Sequence, residues 1–130
     1  MTRSADEIKA HLGQAVTNLQ AAKEWLEKGQ YGAAASSAAE AALHSGSALL
    51  LDEGIETTQH EDVATLVHQI FVNQRRLTHE QGEKLTWLFQ LGQAQKSDTE
   101  PVPPLIPGEA QKAVEFAEHF FDAAKIILES

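Results

Sequence analysis

Apolar residues recur at helical spacing along this chain, and no segment alternates with the period of two that a strand requires. Ile8, Leu12, Ala15, Leu19, Ala22 and Leu26 mark one face of a first helix, expected over about 5 to 28. A Ser4-x-x-Glu7 capping box opens it and Gly29 suits the left-handed position that closes it. The connection Gly29-Gln30-Tyr31-Gly32 is too short for anything but an antiparallel neighbour, so the next helix packs on the first and stops near Asp52-Glu53-Gly54. Thr58-x-x-Glu61 caps a shorter third helix with Val63, Leu66, Val67, Ile70 and Phe71 on one face, ending near Asn73. Thr78-x-x-Gln81 opens a fourth, with Leu85, Leu88, Phe89 and Leu91 inward, Trp87 to one side, and Gly82 and Gly92 weakening it slightly. Residues 96–108 hold every proline of the chain and predict an ordered loop whose Val102, Leu105 and Ile106 lie on the bundle. A last helix is expected over about 109 to 129, with Ala113, Val114, Ala117, Phe120, Phe121, Ala124, Ile127 and Leu128 facing in. The prediction is an all-α, antiparallel four- to five-helix bundle in a single domain over 1–130, with a short third helix and a proline-rich loop before the last.

The second helix organises the rest. Positions 34, 38, 41, 45 and 48 read Ala, Ala, Ala, Ser, Ala, and the adjacent row at 35, 39, 42, 46 and 49 reads Ala, Ala, Ala, Gly, Leu. Two neighbouring stripes so poor in bulk let other helices approach closely on two sides, which places this helix at the centre of the bundle. A third row differs: Ser37, Glu40, His44 and Ser47 put polar groups on one line, the first place to look for a site. Glu40 interrupts a helix built for close contact, so it is expected to be partly buried and hydrogen-bonded, with His44 or the 96–108 loop as partner.

Charge and composition remove several classes of function. With 10 Lys plus Arg against 19 Asp plus Glu, the net charge of -9 opposes binding to a polyphosphate backbone. The only dense positive spot, Arg75-Arg76, reads as a solvated helix end. The absence of cysteine excludes disulfides, thiol nucleophiles and thiolate zinc sites, and neither a membrane span nor an apolar signal core occurs, so a cytoplasmic location is expected. Glu40/His44, His79/Glu83 and Glu115/His119 have the spacing of ion pairs on a helix surface. No Glu-x-x-His of the di-iron bundles, no phosphate loop and no nucleophile elbow is present, and no cofactor or metal is expected. Trp25, Trp87, Phe89, Phe116 and Phe121 read as core or interface, because no basic groups interleave them.

From Gly29 onward the order of features resembles the HEPN family (higher eukaryotes and prokaryotes nucleotide-binding domains). The resemblance is carried by Gly29-Gln30-Tyr31 opening an Ala-rich helix, Ala38-Ala39-Glu40-Ala41-Ala42-Leu43 leading to Ala48-Leu49-Leu50, His60-Glu61-Asp62-Val63, Leu85-Thr86-Trp87-Leu88-Phe89-Gln90-Leu91, and an amphipathic Ala-rich last helix. It implies an antiparallel, usually dimeric bundle, often paired with a nucleotidyltransferase, and in active members, toxins among them, a metal-independent ribonuclease. Active members carry an Arg and then a His at the end of the penultimate helix. Here Gly92 stands where the Arg belongs, and no His follows in Gly92-Gln93-Ala94-Gln95-Lys96-Ser97-Asp98. Of the polar groups that accompany that pair, Glu40 remains. The expectation is therefore a non-catalytic binding or dimerisation module: a homodimer, partner of a nucleotidyltransferase or sensor of a nucleotide or small ligand, that does not cleave RNA. The alternative is a ribonuclease rebuilt from Glu40, His44, Gln95 and Asp98, with Ser37 on the same polar line. Self-association is expected through the fourth and fifth helices, because aromatic residues at 87, 116, 120 and 121 exceed what a small bundle must expose.

Overall fold

Two antiparallel helices set the frame in the computed structural model, which describes residues 2–57, 60–95 and 105–129. Helix α1 spans Thr2–Glu27 and α2 spans Tyr31–Asp52. Between them Gly29 adopts φ +76°, with Gln30 N–H donating to the Trp25 carbonyl at 2.9 Å and Gly29 N–H to that of Leu26 at 3.1 Å. That double bond is the left-handed stop for which a glycine is best suited. At the other end of the helix α1 begins before Ser4, which is therefore helical and not its cap. No glycine or proline precedes Ser4 to stop the helix propagating backward.

Helix α3 (His60–Val67) continues without interruption into a π-helical turn over His68–Val72, α4 covers His79–Gln95 and α5 covers Pro107–Glu129. The described residues contain no strand. The third capping box, Thr78-x-x-Gln81, forms in full: Gln81 N–H donates to Thr78 Oγ1 at 3.0 Å, and Thr78 N–H to Gln81 Oε1 at 2.8 Å. Helix α5 starts earlier than its apolar pattern suggests, at Pro107, because proline's fixed φ and missing N–H suit the first helical position. Leu105 packs on the core as expected, whereas Ile106 is 59% exposed and accepts the first hydrogen bonds of α5 from Glu109 and Ala110. Thr58 and Val102 lie outside the described residues.

Helix α2 is the shared partner of α1, α3, α4 and α5. Both small-residue stripes are buried, from Ala34 and Ala35 through Ala48 and Leu49. The close approaches they permit can be located. A Cβ built on Gly46 would lie 2.8 Å from Val63 Cγ1, which sets α3 directly on α2. One built on Gly92 would lie 2.6 Å from Ala39 Cβ, and one on Gly82 2.5 Å from His68 Nδ1. The glycines of α4 are thus contact points and not merely weak links in the helix. Phe71, Phe120, Leu85 and Leu88 from its neighbours supply the bulk that most of α2 lacks.

Phe116 and Phe120 pack on each other with ring centroids 5.9 Å apart and are buried within the chain's own core. Phe120 is fully withdrawn from water, and Phe116 shows only a small edge, to the groove between α4 and α5. Trp87 and Phe121 remain half-buried. The aromatic excess argued from the sequence reduces to these, because α5 turns its Phe116/Phe120 face inward against the small side chains of α2.

Candidate functional site

On α2 the residues Ser37, Glu40, His44 and Ser47 are all half-buried, as a line at the edge of a helix–helix seam should be. Glu40 therefore has the partial burial expected of it. His44 reaches across to α1, where its Nδ1 lies 2.9 Å from Nδ1 of His11, the ring centroids 5.1 Å apart and the planes inclined at 37°. A hydrogen bond between two imidazole Nδ1 atoms needs a proton on one and a lone pair on the other, so the pair is asymmetric in its tautomers. Burial lowers the pKa of His11 from its ordinary 6.5, opposed by the charge of Glu7 one turn before it.

His11 is absent from the sequence-derived candidates. Its signal is present nonetheless: Ile8, His11 and Ala15 share a face of α1, so His11 is a polar interruption of an apolar stripe. His11 borders a cavity of about 220 Å³ whose other lining residues are Glu7, Ser47, Leu51, Ile55, Glu56 and Thr57. Beyond the end of α2 at Asp52 the chain turns at Gly54, φ +78°, where Ile55 N–H returns to the Leu50 carbonyl at 2.8 Å, and Ile55, Glu56 and Thr57 form one wall of the cavity.

Gln95 lies elsewhere. Its Oε1 would stand 2.9 Å from a Cβ on Gly32, which places it at the N-terminal end of α2. Gly32 and His44 are separated by about 18 Å of helix rise and face directions roughly 120° apart. Ser37, Glu40 and His44 thus share a line that Gln95 does not join, and Asp98 lies outside the described residues. The position aligned with the family's Arg, Gly92, is buried against Ala39 at the α2–α4 crossing.

A second imidazole pair stands where the start of α4 meets the π-helical turn. The His68 ring, on the π-helical turn, meets His79 edge-on at 5.5 Å, and His79 Nε2 lies 2.7 Å from Glu83 Oε1. This confirms one of the expected i, i+4 pairs. Gly82 leaves the space that the His68 ring fills. Among the described residues no three His, Cys, Asp or Glu side chains converge as a metal ion requires. Between α4 and α5 runs an open groove of about 550 Å³, floored by Trp87 and Phe116 and rimmed by Lys84, Lys112, Glu109, Glu115 and His119. No helix among the described residues is long and apolar enough to cross a membrane.

These features define a class: an antiparallel all-helical bundle wound on an alanine-rich second helix, with polar groups along one edge of that helix. The HEPN domain family matches residues 8–127, and the chain belongs to that family. A search of curated proteins returns no match.

Proposed function

We propose that this chain is a non-catalytic member of the HEPN family that acts by binding and self-association. The observation that carries the reading is the contact of Gly92 with Ala39. Metal-independent cleavage of RNA needs a base to take the 2'-hydroxyl proton and a cation to stabilise the charge growing on phosphorus oxygens. Where the family's cation belongs, a Cβ alone would approach Ala39 to 2.6 Å, so the position has become part of the helix crossing. The net charge of -9 works in the same direction by opposing the counterion release that favours binding to phosphate backbones.

Self-association is assigned to the α4–α5 groove. Its rim carries Lys84 and Lys112 together with Glu109 and Glu115, so a second copy related by a two-fold axis can set its carboxylates against these ammonium groups. A nucleotidyltransferase, or a nucleotide or other small ligand, is the alternative occupant of the same module. Sedimentation at micromolar concentration tests the assignment: a dimer of the 14.2 kDa chain is expected, and a monomer alone refutes it.

One observation favours a second reading, a ribonuclease with a rebuilt site. Paired imidazoles such as His11 and His44 can exchange a proton, and Glu40 stands one turn from His44. Incubation of the purified protein with single-stranded and structured RNA at low salt, with and without divalent metal, separates the two. No turnover is expected. Turnover that survives repurification and disappears in His44→Ala or Glu40→Gln establishes the enzyme.

A further inference from the structure

We propose that His11 and His44 form a pH-sensitive clasp that holds the N-terminal half of α1 against α2 near neutral pH and releases it on acidification, opening the adjoining cavity. The clasp belongs to the α1–α2 seam and does not depend on association through α4 and α5.

The attachment of α1 is uneven along its length. From Ala15 onward it is anchored by side chains withdrawn from water, namely Ala15, Leu19 and Ala22. Over 5–14 no side chain is fully buried: Glu7, Ile8, His11 and Leu12 are half-buried and the exposed face is polar or small. A segment with few buried apolar contacts sits at the low end of local stability, so a single interhelical hydrogen bond is a large share of what holds it. The contact between His11 Nδ1 and His44 Nδ1 at 2.9 Å is such a bond, made directly between α1 and α2.

Its geometry makes it conditional on protonation. With one Nδ1–H and one Nδ1 lone pair facing each other the contact is attractive, and with a single added proton on the far nitrogens it survives as an imidazolium donating to an imidazole. When both rings are charged, both facing Nδ1 atoms carry protons, no acceptor remains, and two like charges stand at hydrogen-bond distance. The first proton therefore leaves the clasp shut and the second opens it, so the two rings titrate as a coupled pair.

The surroundings include carboxylates from each side. Glu7 precedes His11 by one turn on α1, Glu40 precedes His44 by one turn on α2, and Glu56 enters from the segment after α2. Ser47, Leu51, Ile55 and Thr57 complete the cavity wall without a charge. Of these, Glu7 favours uptake of a proton by His11. Burial acts the other way and dominates at His11, so the clasp is shut at neutral pH. Opening separates α1 from α2 at the end where the cavity lies, and exposes Ser47, His44 and the Leu51–Ile55 wall to solutes.

Amide hydrogen exchange of the full chain at about pH 7.5 and about pH 5.5, corrected for the intrinsic pH dependence of exchange, tests this. Protection over 5–14 is expected to fall by about tenfold or more on acidification while that of 15–27 holds, and the difference is expected to vanish in His11→Gln and His44→Gln, which keep a polar end but cannot titrate. Unchanged protection in the wild type, or the same loss in both variants, overturns the clasp. Should the variants fold poorly, the wild-type imidazole titration read by NMR decides: a coupled, two-step titration of His11 and His44 supports it, and two independent single-proton curves refute it.

Discussion

Gly92 of α4 crosses Ala39 of α2 so closely that a single added methyl would stand 2.6 Å from the alanine Cβ. Neither side of that contact can give way cheaply, since both belong to helix backbones held by further packing: Ala39 and Gly92 are buried, with Leu88 and Ala38 buried beside them. The crossing joins the architecture to the proposed function, because the residue that permits it is the one that the resemblance sets where active members carry an Arg.

Gly92→Ala is accordingly expected to destabilise the fold. Overpacking at a helix crossing typically costs about 1–3 kcal/mol, which outweighs the gain of up to ~1 kcal/mol from replacing glycine inside a helix. Denaturant titration should show a lower midpoint, and Ala39→Gly in the same chain should recover part of it.

The capping box at the start of α4 offers a separate check. Thr78 accepts from Gln81 N–H at 3.0 Å and receives the reciprocal bond at 2.8 Å. Thr78→Ala is expected to cost about 1 kcal/mol in the same titration, with Thr78→Ser nearly neutral.

Arg75 occupies a left-handed position, φ 60°, after the π-helical turn, with Arg76 N–H bonded to the Phe71 carbonyl at 2.9 Å and Arg75 N–H to that of Val72 at 3.0 Å. The arrangement matches those at Gly29 and Gly54, but here a side chain bears the strain. Its neighbour Arg76 has the structural role, stacked 4.7 Å over the Phe71 ring and paired with Glu53. Arg75→Gly is expected to raise stability by roughly 0.5–1 kcal/mol, and Arg76→Gly to lower it through the lost contacts.

Stability should also depend on pH through His11. Its native pKa is lowered from 6.5 mainly by burial, so the unfolded chain binds that proton more readily than the folded one. The contribution is fully present above 6.5, is lost as pH falls from there toward the lowered native value, and changes no further below it. Urea midpoints measured across this window should fall on acidification in the wild type and fall less in His11→Gln. Glu7→Gln removes the charge that favours protonation, which lowers the native value further and should steepen the loss.

At the α4–α5 groove the test is charge reversal. Lys84→Glu places like charges on both rims and should weaken self-association, and Glu115→Lys in the same chain should restore it, both read by sedimentation.

The sequence by itself determined the helical class, the central place of α2 and most helix ends, because these follow from short-range physics. The spacing of Ala15, Leu19 and Ala22, the glycines at 29 and 54 and the Thr78/Gln81 box act within one or two turns of chain and need no partner. It also made Ser37, Glu40, His44 and Ser47 a line, since that is a property of one helix. Tertiary structure alone decided what the line meets. His11 and His44 stand 33 positions apart and come together only when α1 and α2 pack in one register, while Gln95 is carried by α4 to the opposite end of α2 beside Gly32. Periodicity put Phe120 on the inward face of the last helix but not Phe116, whose burial was decided by where the neighbouring helices are thin enough to receive it. Contacts between helices distant in sequence are set by the fit of whole surfaces, and no local pattern encodes that fit.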